Sequence, residues 1–169
     1  MGLPVGRRTE AGPALQAFRL KRHYPDSTVK LTARRLVWNA RVTPLPGSGT
    51  YGLRLEAEPG EPPFVYVTEP ALVPDESGRL PHVYGNGSLC VAEPGDWERH
   101  MLFIDTFVPW SLEWLVYYEL WRATGIWHGD GPDRTDPASQ ARILHPYTAR
   151  KRSLAGPGSS SPLIETGLE

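Results

Sequence analysis

The segment from residue 107 to residue 124 constrains the fold most, because it is apolar on nearly every side of a helix. Pro109 suits the first turn of that helix, and Gly125 suits the position after its last turn. Four aromatic residues recur along one face: Trp110, Trp114, Tyr117 and Trp121. Such a helix must be buried by its own domain or covered by a partner. We interpret the aromatic face as core packing rather than a cofactor site.

A second, shorter helix is predicted near the N-terminus. Pro13 opens it, because proline is tolerated in the first turn, and Pro25 ends it. On this helix we expect Leu15 and Phe18 to face inward.

Alternating apolar residues predict strands between the two helices. The alternation covers residues 36–42 and 51–57, and a shorter apolar run covers residues 64–67. Residues 29–31 could add a preliminary strand. The simplest assembly is α+β: an N-terminal helix, an antiparallel meander of about four strands and a long C-terminal helix.

Residues 68–97 hold four prolines and four glycines, so regular structure is not expected there. An irregular stretch of this length inside a domain is often functional. We expect residues 13–131 to form the domain, with a flexible N-terminus over residues 1–12 and a partly flexible extension over residues 132–169.

The composition excludes several functions. The net charge is −1, so neither nucleic acid nor an anionic membrane is an expected partner. The single cysteine rules out an intramolecular disulfide and a multi-cysteine zinc site. No leader-like or membrane-spanning apolar run is present, so we expect a cytoplasmic protein. No nucleotide-binding Gly-rich motif appears either, and we expect no cofactor and no metal. The sequence leaves the oligomeric state open.

That cysteine, Cys90, lies at the end of a turn-rich loop that also contains His82, Tyr84 and Asn86. A thiolate attacks activated acyl groups well, and an amide or backbone N–H can stabilise the oxyanion that forms. Each residue also has a structural interpretation, since a lone cysteine is often buried and an Asn-Gly pair is often a turn.

The run NGSLC resembles the active-site segment of ubiquitin-conjugating enzymes, which form a thioester on a cysteine. His82 precedes Cys90, Trp97 follows it, and a long helix comes next, in the order that those enzymes show. The resemblance implies a ubiquitin-conjugating-enzyme-like (UBC-like) fold with an active-site loop before the long helix.

The string LPHVYGNGSLCV, with the Trp-rich segments after it, resembles the conjugating-enzyme-like proteins of type II short CBASS antiphage systems. That resemblance implies a partner, a cGAS/DncV-like nucleotidyltransferase. Its C-terminal tail would be joined to Cys90 as a thioester and passed to a target, which primes cyclic-nucleotide signalling.

The resemblance also implies residue roles. His82 holds the loop by hydrogen bonds. The His-Pro-Asn triplet of the eukaryotic enzymes reads His82-Val83-Tyr84 here, so either Asn86, Tyr84 or a backbone amide stabilises the oxyanion, or that role is absent. Trp97 would pack the loop against the core. An acidic residue could orient the attacking amine, with three candidates: Glu93, Asp96 and Asp105.

Two alternatives remain. The missing asparagine of the triplet would suit a non-catalytic UBC-fold binding module, in which Cys90 is structural. A papain-type hydrolase would need a histidine base and an orienting group near the thiol. The candidate bases are His100, His128 and His145.

Overall fold

The computed structural model describes residues 9–129 of the chain. Helix α1 (Pro13–His23) is followed by four strands and by helix α2 (Phe107–Thr124). The strands are β1 (Thr28–Leu31), β2 (Leu36–Val42), β3 (Tyr51–Ala57) and β4 (Phe64–Glu69). The predicted α+β architecture is confirmed, including the preliminary strand. The expected tail over residues 132–169 and most of the expected flexible N-terminus lie outside the described residues.

The four strands form one antiparallel meander in the order β1-β2-β3-β4. Along β2, the apolar residues at alternate positions are buried and the polar ones between them are exposed, as the pleat of a half-buried strand requires. Trp38 of β2 lies opposite Leu55 of β3, and both side chains are fully buried. The buried face of the sheet is therefore the one that the alternation predicted.

Helix α2 spans the predicted residues, and Gly125 ends it in a left-handed conformation with φ of 76°. Its buried residues occupy more than the predicted stripe: Phe107, Val108, Trp110, Ser111, Trp114, Leu115, Tyr117 and Tyr118. Trp121 is only partly buried and Leu120 is exposed. The helix is therefore covered most completely over its first three turns, where the loop after β4 packs on it.

The predicted orientation of α1 is wrong. Leu15 and Phe18 are 43% and 57% exposed, whereas Gln16 and Leu20 are buried. The reason is a set of hydrogen bonds that only a polar side chain can make. The Gln16 amide oxygen accepts the Phe103 N–H at 2.8 Å, and its amide nitrogen donates to the Met101 carbonyl at 3.0 Å. Gln16 therefore faces inward because it satisfies backbone groups of the segment that leads into α2.

The chain between β4 and α2 is irregular, as predicted, apart from a short 3-10 helix over Phe103–Asp105. Trp97 lies in this stretch, and its ring packs near Phe103 and Phe107 at centroid distances of 5.8 and 6.4 Å. The predicted packing of Trp97 against the core is confirmed. Across residues 9–129, no helix is both long and apolar enough to cross a membrane.

Candidate active site

The loop that carries Cys90 is a small hairpin, which we call the active-site hairpin (residues 82–90). Val83 and Leu89 form an isolated antiparallel bridge. The Tyr84 N–H donates to the Ser88 carbonyl, and the Cys90 N–H donates to the His82 carbonyl, at 2.8 and 2.9 Å. The turn closes where the Gly87 N–H donates to the Tyr84 carbonyl, and Gly87 takes a φ of 84°. That left-handed residue explains the Asn-Gly pair, because glycine adopts it without steric cost.

The hairpin is attached to the sheet at the outer edge of β4. The Leu89 N–H donates to the Val65 carbonyl at 2.8 Å. Leu89 and Val91 are 3% and 8% exposed. Because neighbouring side chains in an extended segment point to opposite sides, the burial of these two residues turns Cys90 outward. The Cys90 side chain is accordingly partly exposed.

Tyr84 lies on the same outward side of the hairpin. Its phenol oxygen is 3.2 Å from the Cys90 sulfur, and its side chain is half exposed. The hydrogen bond to Cys90, together with burial and the nearby thiolate charge, raises the pKa of Tyr84 to about 12. The phenol therefore keeps its proton at neutral pH and can donate to a thiolate or to an oxyanion beside the sulfur.

His82 supports the hairpin through its backbone and its ring. Its carbonyl accepts the Cys90 N–H and also the Trp114 indole N–H, the latter at 3.1 Å. Its φ of 51° is left-handed, which is uncommon for a residue other than glycine. The imidazole stacks on Trp127 at a centroid distance of 4.8 Å. His82 thus joins the Cys90 backbone to α2 and to the segment after it.

A model of the family described as "Type II CBASS E2 protein" matches residues 16–134. The match spans the sheet, the active-site hairpin and α2. The chain belongs to this family. Membership implies an E2-like role in a CBASS system, in agreement with the resemblance seen in the sequence. A comparison with curated proteins found no match.

In this CBASS E2 protein the predicted oxyanion donors differ in the hydrogen bonds that they already make. The Cys90 N–H is engaged with the His82 carbonyl. The Asn86 carboxamide oxygen accepts the N–H and the hydroxyl of Ser88, at 3.0 and 2.7 Å, so this side chain shapes the turn. Within residues 9–129, the sulfur's side-chain hydrogen-bond partner is Tyr84. Tyr84 is thus the predicted residue that the structure brings to Cys90.

The acidic candidates of this E2 protein lie after Cys90 in the chain. The Asp96 carboxylate accepts the Glu93 N–H at 2.9 Å and closes a turn, while Glu93 itself is exposed. Asp105 is exposed at the end of the 3-10 helix. In the described part of the chain, no cluster of three or more histidine, cysteine or acidic residues could hold a metal ion.

Within residues 9–129, neither His100 nor His128 is hydrogen-bonded to the thiol of this E2 protein. The His100 Nδ1 lies 3.4 Å from a Glu98 carboxylate oxygen, and His128 is partly buried beyond α2. His145 lies outside the described residues. In residues 9–129 the geometry of the Cys90 sulfur, which is hydrogen-bonded to a phenol rather than an imidazole, gives the papain-type alternative no support.

Sequence reasoning missed three contributors to the site: Val65, Trp114 and Trp127. Trp114 was assigned to the core stripe, and Trp127 received no role. Their contributions depend on contacts between segments far apart in the chain, such as Trp114 with His82. No local motif carries that information.

Proposed function

We propose that Cys90 forms a thioester with the C-terminus of a cGAS-like nucleotidyltransferase and transfers that acyl group to a target, in a domain with the UBC-like fold. The observation that supports this most directly is the partly exposed sulfur, directed outward by the burial of its neighbours. The Tyr84 phenol oxygen accepts a hydrogen bond from the Cys90 thiol, and its own O–H can donate once that thiol is deprotonated. Family membership supports the CBASS context.

In the first step the Cys90 thiolate attacks the carbonyl carbon of an activated C-terminus, which is a thioester or an acyl adenylate supplied by another protein. The new carbon–sulfur bond forms, the carbonyl oxygen becomes an oxyanion, and the original leaving group departs as a thiolate or as adenylate. The Tyr84 O–H lies close enough to the sulfur to donate to that oxyanion. The acyl group arrives already activated, so this step needs no bound nucleotide or metal.

In the second step a nucleophile of the target, such as an amine, attacks the Cys90 thioester. The carbon–sulfur bond breaks, Cys90 leaves as a thiolate, and the amine loses a proton to a base. Tyr84 can donate to the departing sulfur, because its phenol stays protonated at neutral pH. Glu93, Asp96 and Asp105 remain the candidates for orienting the amine. His82 positions the loop, and Asn86 shapes its turn.

The test uses the full chain and the cGAS-like nucleotidyltransferase of its own CBASS system, with the activating enzyme added in one arm. A non-reducing gel should show an adduct that a thiol reagent removes. Cys90→Ala should abolish it. Cys90→Ser should convert it to an oxygen ester that survives the thiol reagent but not hydroxide. An adduct that is unchanged in Cys90→Ala would refute the proposal.

One observation favours the second candidate, a non-catalytic binding module. The Asn86 amide oxygen accepts hydrogen bonds from Ser88 within the turn, and the His82-Val83-Tyr84 triplet has no asparagine of its own. Alkylation of Cys90 distinguishes the binding module from the transferase. A Cys90 thiol that resists iodoacetamide in the native protein favours the module, whereas fast modification at neutral pH favours the transferase.

A further inference from the structure

The chain after α2 turns back onto the active-site hairpin, and the chemistry proposed above makes no use of it. We call residues 125–129 the strap. Gly125 starts it in a left-handed conformation, and its N–H donates to the Trp121 carbonyl at 2.7 Å. Trp127 is 7% exposed, although it lies outside every helix and strand. A tryptophan buried in this way contributes a large apolar contact to whatever it covers.

Trp127 covers His82. The two rings are nearly parallel, with an interplanar angle of 22° and a centroid distance of 4.8 Å. The Trp127 ring is held in turn by α2, since its centroid lies 5.5 Å from that of Trp114 and 5.8 Å from that of Tyr117. Two buried aromatic side chains of α2, Trp114 and Tyr117, therefore hold the Trp127 ring in its stack on His82.

The last residue of the strap, Gly129, lies close to the Tyr117 ring of α2. A Cβ atom at Gly129 would lie 2.7 Å from Cδ2 of Tyr117 and 2.8 Å from Nε1 of Trp127. Real Cβ atoms do not approach that closely, so any side chain at residue 129 would force the Tyr117 or Trp127 ring to shift. The close crossing and the buried ring show that the strap is packed against the domain.

His82 carries the effect of this packing to the nucleophile. Its carbonyl accepts the Cys90 N–H and the Trp114 indole N–H, while its ring stacks on Trp127. The residue is left-handed, a conformation that persists only where surrounding contacts enforce it. Trp114 and Trp127 provide those contacts, one at the carbonyl and one at the ring.

We propose that Trp127 is a positioning residue for Cys90 and acts through the ring of His82. The proposal rests on the proposed function and deepens it. The stack keeps His82 left-handed, His82 keeps the Cys90 N–H hydrogen bond, and the hairpin then holds the sulfur against the Tyr84 phenol. Loss of the stack lets the hairpin relax and slows thioester formation.

The test compares two substitutions of similar size at one position, Trp127→Leu and Trp127→Phe. Both remove the indole, but only phenylalanine keeps a ring that can stack on His82. Loss of an aromatic pair predicts thioester formation that is about 3- to 10-fold slower in Trp127→Leu. Trp127→Phe should stay within about 2-fold of the unsubstituted protein. Tyr24→Leu is the control, because it also removes an aromatic contact, with Trp38 at 5.3 Å, in a pair that includes none of the rings around His82. It should lower the melting temperature without this rate effect.

Trp127→Leu and Trp127→Phe in a His82→Gly background test whether the effect on Cys90 passes through the His82 ring. Glycine accepts a left-handed φ and keeps the carbonyl acceptor, but it has no ring. The difference between Trp127→Leu and Trp127→Phe should disappear there. Equal rates for the two single variants, or a difference that persists with His82→Gly, would overturn the proposal.

Iodoacetamide alkylation of Cys90 provides a readout that needs no partner protein. If the Leu and Phe variants differ in alkylation but no adduct ever forms, positioning stands and the thioester function fails. If adducts form equally in both variants, the thioester function stands and positioning fails.

Discussion

The inward position of Gln16 makes an unusual prediction about α1. A polar residue should matter more to stability there than the large apolar Phe18 two positions later. Gln16 is 2% exposed and Phe18 is 57% exposed. Gln16→Ala removes the hydrogen bonds of a buried side chain, whereas Phe18→Ala removes the contacts of a partly exposed apolar one. Comparing the two losses of stability shows which face of α1 stabilises the domain.

The magnitudes follow from the contacts. Gln16→Ala leaves the Phe103 N–H without its acceptor, at a cost of about 1–3 kcal/mol, and removes packed side-chain atoms worth about 1 kcal/mol. The higher helix propensity of alanine returns a few tenths of a kcal/mol, which leaves about 2–3 kcal/mol. Phe18→Ala loses less than half of a full burial and gains helix propensity, so we expect less than about 1 kcal/mol.

Urea unfolding followed by tryptophan fluorescence measures both variants, with equal m-values as the check on two-state behaviour. For a domain of this size Gln16→Ala should lower Tm by about 4–12 °C. The result that would refute the reasoning is a reversed order, with Phe18→Ala costing as much as Gln16→Ala or more. That order would mean that the apolar face of α1 is the buried one.

Two further predictions concern single hydrogen-bonding groups. Tyr84→Phe removes only the phenol oxygen beside Cys90 and should slow thioester formation by about 3- to 10-fold, with Tyr66→Phe as an unaffected control. Because the pKa of Tyr84 is about 12, the phenol is protonated at pH 7, and equal rates for Tyr84→Phe and the unsubstituted protein at that pH would contradict its role as a donor. Burial opposes ionisation of Glu119, but hydrogen bonds from Ser48, Gly49 and Tyr51 outweigh it and lower the pKa of this carboxyl group. Because the pKa of Glu119 in the folded state is below the ordinary value of about 4.3, its ionised form stabilises the fold above that pH. This stabilisation is lost as pH falls through the folded-state pKa. The stability difference between the native protein and Glu119→Gln should therefore shrink between pH 6 and pH 3, and a constant difference would count against it.

The secondary structure was largely readable from the chain because it depends on local periodicity. The apolar alternation gave β2 and β3, and the prolines and Gly125 marked the ends of the helices. The exception is α1, where the pattern favoured Leu15 and Phe18 for the core. Hydrophobicity alone could not predict the inward Gln16, because its reason is a hydrogen bond to Phe103, 87 residues away.

The sequence by itself determined the order of helices and strands, the irregular segment before α2 and the turn that carries Cys90. These features follow from side-chain periodicity and from turn-forming residues that act over a few positions. Only the tertiary structure decided that Tyr84 rather than Asn86 contacts the sulfur, and that Trp114 and Trp127 hold His82. Those contacts depend on how the hairpin lies on β4 and how the strap crosses α2. Both arrangements are set by packing between distant segments, which no local pattern encodes.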